Sequence, residues 1–194
     1  MASSAQYQIN EPTSADFDEW SAMFRAYIDF YQATIEEEQY KRTFDRILNK
    51  ENDLQALVLR RTLDGKESIV GIAHFFPEQT PWSEKQILML NGKLVQLQSE
   101  VQGYELCVTI PTSSLLQLVE SDDSNANLEP DLFVDPSVRG QGQGRKLIEA
   151  VAEIAKKMGC LRLQWLTKHD NTRARGLYDT MAQTSFVQYR MSLD

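Results

Sequence analysis

Three glycines at alternate positions, Gly140, Gly142 and Gly144, stand between the apolar run "DLFV" and a strongly periodic stretch from Leu147 to Met158. Glycine loses more backbone entropy on ordering than any other residue. Three of them so close together imply a backbone that turns sharply or that something approaches closely. The string G-x-x-x-x-G-K-[ST] is absent, which removes a P-loop. A dinucleotide-binding turn needs G-x-G-x-x-G with several strands still to come; here the third glycine arrives one residue early and only about fifty residues follow. Two readings stand: a flexible turn before a helix, or a cradle for a pyrophosphate. In the cradle a strand delivers successive backbone N–H groups to a helix N-terminus, where dipole and unpaired donors favour an anion. Arg139 and Arg145 place positive charge at its two ends.

Other reactive side chains form weaker patterns. His169-Asp170 has no Gly-x-Ser-x-Gly partner, which argues against a serine triad. Two histidines, far apart, and two cysteines, Cys107 and Cys160, lack metal-ligand spacing, so no metal is expected. Both cysteines sit in apolar runs, without an evident base, and read as small buried hydrophobes. Glu36-Glu37-Glu38 reads as a solvated helix start.

These residues belong to a chain of 194 residues, enough for one domain with a real core. Apolar residues are 42% and charged residues 25%, an ordinary globular balance, and the net charge is −8. That charge argues against nucleic acid or an anionic membrane as a partner and suits a cationic substrate. With no apolar leader and no membrane-length run, the chain reads as soluble and cytoplasmic.

The elements that position the glycine segment follow from periodicity. Thr13 with Asp16 makes a capping box ahead of Phe17, Trp20, Phe24, Tyr27 and Tyr31 at helical spacing. A second helix is predicted over Ile35–Leu48. "LQALVLRR" and "ESIVGIAHFF" flank Asp64-Gly65 as a hairpin, and a second hairpin is predicted around Asn91-Gly92. "YELCVTI" is a strand candidate and "TSSLLQLVESDD" a short helix. After "DLFV", the residues Leu147, Ile148, Val151, Ile154, Ala155 and Met158 make an amphipathic helix closed by Gly159. "CLRLQWLT", "NTRARGLYDTMAQ" and "FVQYRMSL" read as strand, helix and strand. Hairpins early and a strand–helix–strand unit late give an α/β or α+β class around one sheet.

The segment "DLFVDPSVRGQGQGRKLIEAV" resembles the coenzyme A motif of the GNAT acetyltransferase superfamily. Its core, [RQ]-x-x-G-x-[GA], is met by Arg139-Gly140-Gln141-Gly142-Gln143-Gly144 after a strand and before a helix. "WLTKHDNTRARGLYDTMA" is similar to the family's second motif, matching at Asn171, Ala174, Leu177 and Tyr178. "VGIAHFF" resembles the strand ahead of the cofactor strand. The resemblance spans about three-quarters of the chain and looks closest to small fungal and bacterial enzymes that acetylate polyamines, D-amino acids or histone tails. The family's usual Gly-Phe after the tyrosine is replaced by "MAQTSF".

The resemblance implies a GNAT-like α/β (α+β) fold, with a mixed, mainly antiparallel sheet splayed at the cofactor strand and flanked by helices. It implies acetyl-CoA as co-substrate and direct N-acetylation of a primary amine, here expected to be a small molecule. Backbone groups of Phe133 and Val134 would pair with pantetheine, those of Arg139 through Arg145 would hold the pyrophosphate, and Asn171 would contact the pantetheine arm. Tyr178 would protonate the leaving thiolate. The general base is left between Asp131 and Glu129. His74, Trp82 and the edge of the aromatic stripe at Tyr27 are candidates for the acceptor pocket. Against a compact GNAT core, residues around 84–128 read as an ordered insertion within a single domain spanning 1–194. Relatives imply a homodimer. The alternatives are a catalytically degenerate acyl-CoA sensor and an acetyltransferase acting on histones or protein lysines.

Overall fold

Strands whose apolar residues alternate between two faces build one six-stranded sheet, which the computed structural model describes over residues 4–90 and 132–184. In chain order the elements are β1 (Gln6–Asn10), α1 (Phe17–Phe30), α2 (Glu37–Leu48), β2 (Gln55–Leu63), β3 (Lys66–Thr80), β4 (Ser83–Leu90), β5 (Leu132–Val134), α3 (Gln143–Lys157), β6 (Arg162–Gln164) and α4 (Thr172–Tyr178). The sheet runs β1-β2-β3-β4-β6, antiparallel except for the parallel β4–β6 pair, with β5 also paired to β3. No helix among the described residues is long and apolar enough to cross a membrane.

Local signals act as expected at the hairpin and the first helix. Asp64 and Gly65 both have positive φ, 51° and 75°, as a two-residue primed turn requires. The Asp16 carboxylate accepts from both the N–H and the hydroxyl of Thr13. The same carboxylate receives two bonds from Arg60, at 2.7 and 2.9 Å, with both side chains only 11% exposed. The Arg60 guanidinium chiefly holds the Asp16 pKa down, to about 2.

The two faces of the sheet are chemically different. Ala56, Val58, Ile69, Ile72 and Phe133 pack against the aromatic stripe of α1 and α2: Trp20, Phe24, Tyr27, Tyr40 and Phe44. On the other face Leu57, Ala73, Phe75, Leu88 and Leu90 pack against Leu147, Ile148, Val151 and Ala155 of α3. Ile69 and Ile72 share a face although three apart, because the β2–β3 register shifts between Leu59 and Arg60. Such a bulge adds one residue and resets the alternation.

β3 is long enough to take two partners end to end on one edge. Phe75–Thr80 pairs with β4, and Gly71–Ala73 pairs with β5. The registers are those of a single antiparallel strand. Phe75 faces Leu90, so an unbroken strand would bring residue 92 to Ala73; Leu132 stands there, a jump of 132 − 92 = 40. Because 40 is even, the alternation survives the interruption: Leu88 and Leu90 pack on α3, and Val134 lies against its first turn, 3.9 Å from where a Cβ on Gly144 would sit.

The expected insertion begins, in the sequence reading, inside a strand of the sheet. Residues 84–90, assigned to it from sequence, are the body of β4, paired to β3 on one side and partly to β6 on the other. The sequence underestimated the strand because "KQILML" was read as the first arm of a separate hairpin. The expected Asn91-Gly92 turn, the "YELCVTI" strand, the helix after it, Cys107, Glu129, Asp131 and the final strand "FVQYRMSL" lie outside the described residues.

Candidate active site

The segment after β5 is built turn by turn. The Asp135 N–H donates to Val70 O (2.9 Å), continuing the β3–β5 ladder, and the Asp135 carboxylate accepts the Ser137 N–H at 2.7 Å. Hydrogen bonding from Ser137, from its side chain first and its backbone N–H after that, holds the Asp135 pKa below the usual carboxylate range. Pro136, with its fixed φ, opens a short 3-10 turn that ends at the buried Val138. Gly140 and Gly142 then adopt φ of 80° and 74°, conformations open to glycine and strained for most other residues. A Cβ at either would meet nothing within 4 Å. The backbone demands glycine at these positions, and the space above them is open.

α3 starts directly after this turn. Val138 and Arg139 spend their N–H groups within the turn, on Asp135 O (3.1 Å) and Pro136 O (3.3 Å), and Lys146 donates to Gly142 O (3.2 Å). Among the described residues, the N–H groups of Gly140 through Arg145 between them have no acceptor. Successive orphan donors at the positive end of a 15-residue helix are the arrangement that binds a phosphate. The set is one residue shorter than the expected Arg139–Arg145, because the turn uses the Arg139 N–H.

The two arginines that flank the turn each have a polar partner. Arg139 Nε donates to Val134 O at 2.9 Å, and its guanidinium lies 5.3 Å from the Phe133 ring centre and 5.8 Å from that of Phe30. Burial first, and the nearby Arg173 second, push its pKa below the ordinary guanidinium value. Arg145 donates to the Thr180 hydroxyl. Both arginines brace the chain, one to β5 and one beyond α4, so their side chains are tied up as the N–H row is not.

The open edge of β5 completes the cleft. β6 pairs only with Ile87–Met89 of β4, and among the described residues no strand covers the outer edge of β5. An antiparallel ladder uses alternate residues, so with Asp135 bonded to Val70, Phe133 spends its backbone on β3 and Val134 faces outward. The Val134 carbonyl is held by Arg139, and its N–H points to the splay. Of the two residues named from sequence, Val134 carries the outward group and Phe133 is a wall.

α4 closes the site beside the glycines. Asn171 is its N-cap: Oδ1 accepts from the Ala174 N–H (3.3 Å) and Nδ2 donates to the Thr167 hydroxyl (3.2 Å). A Cβ on Gly144 would lie 3.7 Å from Leu177, an ordinary contact that seats α4 against the start of α3. Tyr178, next along, meets Trp165 edge-on at 5.5 Å. The helix is thus fixed at both ends around Tyr178.

Of the three acceptor candidates, His74 and Tyr27 both meet the Phe24 ring, at 5.2 and 5.9 Å, and Trp82 lies apart. His74 lies inside β3, 1% exposed, and its Nε2 accepts from Trp20 Nε1 at 3.0 Å. Tyr27 is buried and stands 6.4 Å edge-on from Phe133, linking α1 to β5. Trp82, 93% exposed, sits in the two-residue tip between β3 and β4, where Thr80 pairs with Ser83. Six residues of strand, Phe75–Thr80, separate it from His74, roughly 20 Å at strand rise. β3 runs on past His74 through Pro77; past Phe75 the β2 side is unpaired and a residue without an N–H is tolerated.

Sequence reasoning missed Gly71. Its missing side chain lets Leu59 and the Phe133 carbonyl close in; a Cβ there would lie 3.1 Å from Phe133 O and 3.2 Å from Leu59 Cβ. The glycine inside "VGIAHFF" was a signal for such a close approach. Cys160 is partly buried against the α3 face, and burial pushes its thiol pKa up, as befits an inert hydrophobe.

Comparisons agree with this geometry. The acetyltransferase (GNAT) family profile matches residues 20–182. A D-amino-acid N-acetyltransferase of Saccharomyces cerevisiae is 24% identical over 176 residues, covering 90% of this chain and 84% of that protein. A thialysine N-epsilon-acetyltransferase of Bos taurus is 43% identical over a local stretch of 58 residues, 30% of this chain and 34% of the relative. Among solved structures, a probable acetyltransferase superimposes with a TM-score of 0.65 at 15% identity, covering 96% of this chain and 98% of the other. An aminoglycoside N-acetyltransferase in complex with CoA gives 0.63 at 14% identity, covering 98% and 97%. With a helix-capped glycine turn, a splayed cofactor strand and a profile match over most of its length, the chain belongs to the GNAT family of N-acetyltransferases.

Proposed function

We propose that this N-acetyltransferase moves an acetyl group from acetyl-CoA directly to the primary amine of a small molecule. The observation that carries the reading is the row of unsatisfied N–H groups from Gly140 to Arg145, at the start of α3 and beside the open edge of β5. The diphosphate fits that row, which presents donors, positive dipole and open space. The Val134 N–H would receive the pantetheine arm as an added strand, with Asn171 holding the facing end of α4.

Transfer forms a C–N bond and breaks a C–S bond. The incoming ammonium must lose a proton, assigned to Asp131 or Glu129 just ahead of β5, and the departing thiolate must gain one. Tyr178 supplies the second proton, since a phenol of pKa near 10 can donate to a thiolate of pKa near 8.5. Holding both reactants together provides much of the acceleration. The relatives' acceptors, a D-amino acid and thialysine, are small primary amines, and a net charge of −8 favours approach of a cation.

The test is a panel of small amines assayed by release of CoA thiol, with Tyr178→Phe alongside. Turnover with at least one amine, and a loss of about 10²-fold in kcat for the variant, is the expected result. Acetyl-CoA binding without turnover on any amine favours an acyl-CoA sensor, and a full-rate variant removes Tyr178 as the acid.

A further inference from the structure

Edge strand β1 reaches the glycine turn from 134 residues away in sequence. Tyr7 Oη donates to Gln141 Oε1 at 3.0 Å. Gln141 is the residue between the two left-handed glycines, Gly140 and Gly142. Its side-chain amide is held at the other end too, with Nε2 donating to Ser137 O at 3.3 Å. From below, Gln143 Nε2 lies 3.5 Å from Gln141 O, and the Gln143 side chain is 95% buried. Three contacts thus converge on the most permissive point of the turn.

The phenol is well placed to act as an anchor. Tyr7 is half-buried and packs against the cluster of Leu59, Val70, Val134 and Val138, whose last two residues bracket the turn that leads from β5 to Arg139. β1 is itself fixed along β2, with Tyr7 opposite Arg61. The hydroxyl is therefore held by a rigid frame while the glycines it restrains have little torsional preference of their own.

We infer that Tyr7 is a positioning residue for acetyl-CoA: through Gln141 it holds the turn in the conformation that presents the N–H row. The inference rests on the reading that this turn seats the diphosphate. A restraint of this kind acts before the cofactor arrives, by limiting the conformations the turn must give up on binding. It contributes to cofactor affinity and leaves the chemical step unchanged.

The experiment is calorimetric titration of CoA into the wild type, Tyr7→Phe, Gln141→Leu and the double variant, with steady-state kinetics and melting curves. Tyr7→Phe keeps the ring and loses one hydrogen bond. The expected result is a threefold to tenfold weaker Kd, about the worth of one such bond. KM for acetyl-CoA rises by a similar factor, kcat is unchanged, and Tm stays within a degree or two of the wild type. The double variant binds no more weakly than the weaker single variant. Wild-type affinity in Tyr7→Phe, or fully additive losses in the double variant, overturns the inference while leaving the cofactor site in place. A wild type that binds no CoA overturns both.

Discussion

β4 and β5 occupy one line of the sheet and share the partner β3, yet among the described residues only β4 is closed on its outer side. β6 covers Ile87–Met89 and stops, leaving Val134 with a backbone edge to offer. Side-chain burial does not distinguish the halves, for Leu88 is 0% exposed and Phe133 only 6%. The difference lies in main-chain pairing. A strand can therefore be core by its side chains along its whole length while its backbone is paired on both sides at one end and, among the described residues, on one side at the other.

Deletions give the sharpest way to break that comparison. Removing Asn91–Pro130, 40 residues, and joining Leu90 to Asp131 restores one register; CoA affinity is expected to stay within about threefold of wild type. Removing Asn91–Asp131, 41 residues, turns Phe133 and Val134 to the wrong faces, and cooperative melting and CoA binding are both expected to disappear. Equal behaviour of the two deletions would show that β4 and β5 are not one strand.

Smaller changes separate the halves. Gly71→Ala presses on β5 and leaves the β4 segment of β3 untouched. Overpacking of this sort costs about 1–3 kcal/mol, read as a lower Tm together with weaker CoA binding. Asp16→Asn is the control on the α1 side, expected to cost about 2 kcal/mol at pH 7 with no change in CoA affinity. Its folded pKa of about 2 lies below the ordinary 3.8, so the stability it contributes is complete above 3.8 and lost as pH falls toward 2. The Tm gap between wild type and Asn variant should close over that window. Gly142→Ala, forced to a positive φ, should weaken CoA binding about tenfold, from a strain of roughly 1–2 kcal/mol. Gly144→Ala, which meets only ordinary contacts, should bind within twofold of wild type.

Features set by near neighbours were legible in the chain. Asp64-Gly65 needed only its own turn chemistry, Thr13–Asp16 only its three-residue reach, and the RGQGQG turn only a strand before it and a helix after it. What escaped depends on partners distant in sequence. The β4–β5 junction is invisible until pairing with β3 is known, so seven residues of sheet were assigned to an insertion. Trp82 resembled a site residue by its local motif, but the length of β3 carries it away from His74. Arg139 and Arg145 were read as charges at the two ends of the turn; the polar partner that folding gives each, a carbonyl for one and a hydroxyl for the other, could not be read from the chain.

The point where β4 meets β5 also has a meaning for chain length. The entropy of closing a segment grows with the logarithm of its length, so each doubling costs only about 0.6 kcal/mol. Leu90 and Leu132 are held two residues apart along β3, facing Phe75 and Ala73, so the ends to be joined are already adjacent. By this measure a twenty-residue or eighty-residue segment would weigh on the sheet little differently from the present one, provided the count keeps its parity. The strand thus tolerates changes of length at this junction far more readily than changes of register.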